Sequence, residues 1–68
     1  MITSSRAYRK IISGFINEED VGIQDYRKLV DALPSGEHFD DVRSAIQDIV
    51  ADERRHITML KRLLAKAR

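Results

Sequence analysis

The chain has 68 residues, with twelve Lys and Arg against eleven Asp and Glu, a formal net charge of +1 and no cysteine. A chain this short makes one small domain that buries too little surface to be comfortably stable alone, so a partner or a staple is expected. The missing cysteine excludes a disulfide framework or thiolate metal site and leaves oxygen and nitrogen donors for any staple, and the near-neutral charge gives no general attraction to nucleic acid or an anionic membrane.

The opening run Met1-Ile2-Thr3-Ser4-Ser5-Arg6 lacks the long apolar core of a secretory signal, and no apolar run approaches the ~20 residues needed to span a bilayer. A soluble, cytoplasmic protein is the expectation. Thr3, Ser4 and Ser5 each suit a helix N-cap, and a first helix is predicted over about Ser5 to Leu33. Its seam is Tyr8, Ile12, Phe15, Glu19, Gly22, Tyr26, Leu29 and Leu33, spaced by alternating steps of three and four. Gly14 and Gly22 each cost about 1 kcal/mol relative to alanine in a helix interior, and Ser13-Gly14 leaves open a break with the main helix starting at Phe15.

Pro34-Ser35-Gly36 is the one strong stop signal, and a second helix is predicted from about Glu37 to Ala67. Glu37, Asp40 and Asp41 near its start and Lys61, Arg62, Lys66 and Arg68 near its end match the polarity of a helix dipole. Its seam is Phe39, Val42, Ile46, Ile49, Glu53, His56, Leu60, Leu63 and Ala67. Beside each seam runs another apolar line, Ile16, Ile23 and Val30 in the first helix and Val50, Ile57 and Leu64 in the second. The seams are expected to pack the hairpin, and these extra lines to serve a second hairpin in a four-helix bundle. The fold class is therefore all-α, one antiparallel two-helix hairpin that dimerises.

Three ionisable residues interrupt these apolar seams near mid-helix: Glu19, Glu53 and His56. A carboxylate left in a bundle core without a partner costs several kcal/mol, so something must compensate it. Glu53-Arg54-Arg55-His56 is a Glu-x-x-His pair, whose spacing of three puts both side chains on one side of a helix. With a turn near Ser35, the residue opposite Glu19 lies at about position 52, at most a turn from Glu53 and His56. Two carboxylates and an imidazole form a hard donor set that suits Fe(II) or Mn(II) better than structural zinc.

Asn17-Glu18-Glu19-Asp20-Val21-Gly22-Ile23-Gln24-Asp25-Tyr26, followed by Ala51-Asp52-Glu53-Arg54-Arg55-His56, resembles the two halves of the rubrerythrin and ferritin-like motif. The resemblance covers roughly Phe15 to Leu64, and in architecture it is similar to the encapsulated ferritins, single hairpins that pair to build one site. Complete ferritin-like bundles take a Glu from each of two helices and Glu-x-x-His from each of the other two. By this resemblance the hairpin dimerises into a ferritin-like four-helix bundle with a di-iron cofactor, Mn or another divalent metal being alternatives. Glu19 and His56 become terminal ligands and Glu53 a bridge. The implied activity is ferroxidase-like, oxidising Fe(II) with O2 or peroxide in iron storage, detoxification or peroxide handling. The chain departs from the family in carrying no second hairpin, no rubredoxin-like cysteine domain and no recognisable capsule-addressing extension after Arg68, so electron donor and encapsulation stay open.

A site shared about a dyad perpendicular to the helices must lie near the middle of both, and Glu19 and Glu53 do. The open end carries Arg6, Arg9, Lys10, Lys61, Arg62, Lys66 and Arg68, and the turn end Asp31, Glu37, Asp40 and Asp41. Antiparallel pairing of two hairpins sets these charges against each other, as orientation more than stability, since an exposed pair contributes only about 0–1 kcal/mol.

Plainer readings accompany each residue. Glu53 and Glu19 can be buried acids paired with Arg or His to fix bundle register, which makes the chain a non-catalytic helical interaction module. Tyr26 either hydrogen-bonds behind the ligands or is an ordinary core tyrosine. Gly22 reads as room beside the ligands or close helix approach, with a kink as the alternative. Glu18, Asp20 and Asp52 fall off the seam and read as solvated or as a secondary cation site. His38 reads as a capping or surface residue. The expected partners are a second copy, or a higher oligomer of dimers, together with metal ions and O2 or peroxide; neither nucleic acid nor membrane is expected.

Overall fold

Two long helices, α1 (Ser5–Ala32) and α2 (Glu37–Lys66), run antiparallel and form a hairpin in the computed structural model, which describes residues 4–66. The predicted N-cap Thr3 and the terminal Ala67 and Arg68 lie outside the described residues. The α1 cap is Ser4, whose extended backbone (φ −148°, ψ 155°) turns its hydroxyl to accept from the Ala7 N–H at 3.1 Å. Leu33 leaves helical geometry at ψ 137°, as a residue before proline must, and its N–H still donates to Val30 O at 3.2 Å. Gly36 then takes φ 134°, a conformation that only glycine adopts without strain, and its carbonyl accepts from Asp40 N–H at 2.9 Å to start α2.

Arg43 closes the turn. Its Nη2 donates to Leu33 O at 2.9 Å and to Pro34 O at 2.7 Å, while Nη1 pairs with Asp40 Oδ1 at 2.9 Å. A guanidinium at the carbonyl end of α1 satisfies acceptors that the helix itself leaves open and complements the dipole there.

α1 runs unbroken through Ser13 and Gly14. The local loss of helix propensity is offset by Ile12, which is buried, and Ile16, which is half-buried, on the face toward α2.

The apolar lines share the packing that was expected of the seams alone. Ile23, Ile46 and Val50 form the buried cluster, with Tyr26, Val30, Leu33, Val42 and Ile57 packed against it. The lines assigned to a second hairpin therefore help to pack the first, together with the seam residues Tyr26, Leu33, Val42 and Ile46. Meanwhile Phe15, Leu29, Ile49 and Leu63, all from the seams, stay 40–48 % exposed. The physical reason is that one neighbouring helix covers only one edge of so wide an apolar stripe and leaves the rest of it open.

Among the described residues the buried apolar side chains are Ile12, Ile23, Ile46 and Val50, a small core for two long helices. Among the described residues, no helix is long and apolar enough to cross a membrane.

Candidate metal centre

Mid-height on the hairpin, α1 presents Glu19 and α2 presents His56 and Glu53. His56 Nδ1 lies 3.5 Å from Glu19 Oε1, with the Glu19 side chain 26 % exposed and His56 47 %. The other carboxylate oxygen, Glu19 Oε2, is buried with no hydrogen-bond partner. With both carboxyls ionised such an oxygen has lost water without gaining a donor, and either a proton shared with a neighbouring carboxyl or a cation would compensate it.

Glu53 stands beside it. A hydrogen bond shared with the Glu19 carboxyl lifts Glu53 above its ordinary pKa of 4.5, partial burial and the Glu19 charge push the same way, and His56 opposes them. Glu53 Oε2 fits against Gly22 so closely that a Cβ there would be 3.0 Å away. The contacts Glu19–His56 and Gly22–Glu53 put the helices about one turn from the register estimated for Glu19, and they bring together the three residues read from the sequence.

The centre opens into a groove of about 340 Å³ lined by Phe15, Glu18, Glu19, His56, Met59 and Leu63. Its walls are largely apolar and its floor holds the acid and the imidazole. Glu18 faces this groove, whereas Asp20 accepts from Gln24 Nε2 at 3.1 Å and Asp52 pairs with Arg55 at 3.2 Å, both along their own helices. Tyr26 packs against the Ile23, Ile46 and Val50 cluster, the role of a core tyrosine. His38 is exposed beside the Phe39 ring in an edge-on contact at 5.2 Å.

Two residues escaped the sequence reading. Met59 lines the groove although it lies off the seam; its spacing of three from His56 was the available signal. Arg43 gave a fainter one, a lone base among the acids at the start of α2.

Among the described residues, no group of three or more His, Asp or Glu side chains is arranged as a metal cage within this one chain. The contacts are pairwise, Glu19 with His56 and Glu19 with Glu53. Comparison with family models, with characterised proteins and with solved structures gives no match.

The donors nevertheless fit a divalent first-row cation. Two carboxylates and an imidazole are suitable ligands for Fe(II) or Mn(II), and the unpartnered Glu19 Oε2 lies beside a Glu53 carboxyl whose pKa is raised.

Proposed function

We propose that two copies of this hairpin pair through their exposed apolar faces into a ferritin-like four-helix bundle and hold a di-iron centre between them, with Fe(II) oxidised there by O2 or peroxide. The observation that carries this reading is Glu19 Oε2, a buried carboxylate oxygen without a hydrogen-bond partner, beside a second carboxylate and an imidazole at the mid-height of an unpaired apolar face. Each hairpin supplies half of a two-Glu, two-Glu-x-x-His set. Pairing therefore offsets an exposed face and an incomplete ligand set together.

In this reading Glu19, Glu53 and His56 of each copy would hold the metals, and iron bound there would supply the electrons that reduce the oxidant. A carboxyl must be ionised to bind a cation, and Glu53 holds its proton more readily than an ordinary carboxyl, so cation affinity would rise with pH. Phe15, Met59 and Leu63 line the groove, and covering them on pairing would exclude water and strengthen the interactions of the carboxylates inside. Iron storage, iron detoxification and peroxide handling all use this chemistry.

A second reading rests on the 3.5 Å contact between His56 Nδ1 and Glu19 Oε1. A protonated His56 would neutralise Glu19 without metal and fix the register of a purely structural bundle. Thermal melts separate the two. The di-iron reading expects a large rise in Tm with Fe(II) or Mn(II), abolished by Glu53→Ala or His56→Ala; unchanged metal content in those variants rejects it.

A further inference from the structure

α1 contains two interior glycines in very different surroundings. A methyl group added at Gly14 would meet nothing within 4 Å, but at Gly22 it would lie 3.0 Å from Glu53 Oε2 and 3.8 Å from Glu53 Cδ. Backbone conformation requires glycine at neither position, since the positive-φ glycine among the described residues is Gly36. Both therefore lower helix propensity without a conformational gain. At Gly22 the side chain that would be crowded is the Glu53 carboxylate.

We infer that Gly22 is a positioning residue: its missing side chain is the slot that seats the Glu53 carboxylate against Glu19, and glycine is required there for cation binding and not for folding. This rests on the metal-centre reading above. It extends it by assigning opposite effects on fold and function to a single methyl group.

The reason for opposite effects lies in what Glu53 is free to do. Without a cation its carboxylate is the far end of a flexible side chain, and a few tenths of an ångström of retreat is cheap. The chain then keeps the gain in helix propensity that alanine brings. With a cation bound, ligand distances hold within about 0.2 Å, and the same retreat pulls an oxygen off the metal. Gly14→Ala is the matched control, because it makes the same backbone change on the same helix with open space around the new methyl.

The experiment measures thermal melts, metal-free and with excess Mn(II), and Mn(II) binding isotherms, for wild type, Gly14→Ala and Gly22→Ala. Metal-free, both alanine variants should melt about 4–8 °C above wild type. Mn(II) should bind wild type and Gly14→Ala alike and Gly22→Ala at least tenfold more weakly. Equal Mn(II) affinity in Gly22→Ala and Gly14→Ala overturns the inference while leaving the metal centre intact. So does a metal-free Gly22→Ala that melts below wild type, which would make the glycine a requirement of the fold. A wild type that binds no Mn(II) overturns the metal centre and the role of Gly22 together.

Discussion

Phe15→Ser probes the face through which two hairpins are proposed to meet. Phe15 lies near the centre of the α1 apolar stripe, one turn from Glu19, and is 47 % exposed in the single hairpin. Burying a Phe side chain fully is worth about 1.5–3 kcal/mol, so covering the remaining half contributes about 0.7–1.4 kcal/mol per copy. A two-fold dimer counts it twice, giving about 1.5–3 kcal/mol, or a roughly 10- to 100-fold weaker dimer in the variant. The matched change on the other edge, Ile23→Ala, removes a buried core side chain and should cost the hairpin itself about 2–5 kcal/mol. Sedimentation equilibrium across a concentration series, with circular dichroism on the same samples, distinguishes the two. The expected result is Phe15→Ser losing association while keeping helicity, and Ile23→Ala losing both. A Phe15→Ser dimer as tight as wild type would refute the assignment of this face.

Two further predictions concern the chain without metal. Glu53 has a higher pKa in the fold than its ordinary 4.5, so its protonated form is favoured there. Its contribution to stability is then fully present below about pH 4.5 and is lost as pH rises through the higher folded value. Metal-free melts of wild type should decline across that interval relative to Glu53→Gln, and identical pH profiles would contradict the Glu19–Glu53 hydrogen bond. Arg43→Ala removes the donors to Leu33 O and Pro34 O and should destabilise the hairpin by roughly 1–2 kcal/mol, read by urea denaturation, with no change in metal stoichiometry.

Much of this architecture was readable from residue types alone. Pro34 and Gly36 mark the turn because one ends a helix and the other takes a φ of 134°. The three–four spacing of apolar residues and the intrusion of Glu19, Glu53 and His56 into it singled out the three polar side chains that the hairpin brings to mid-height. What could not be read was which apolar line faces inward. Periodicity reports the width of a stripe but not which part of it the neighbouring helix covers. Ile23 and Val50 thus pack the hairpin where Phe15 and Ile49 had been expected. Arg43 stayed hidden for a related reason, since its acceptors Leu33 and Pro34 come near only after the turn closes.

The central claim is that Glu19, Glu53 and His56 of two molecules share cations. Anaerobic titration with Fe(II), followed by native mass measurement of the intact species, tests it most directly. The account predicts a dimer saturating at two irons, with neither uptake nor metal-driven pairing in Glu53→Ala. A wild-type chain that stays metal-free at saturating Fe(II), or takes up iron as a monomer, would contradict it.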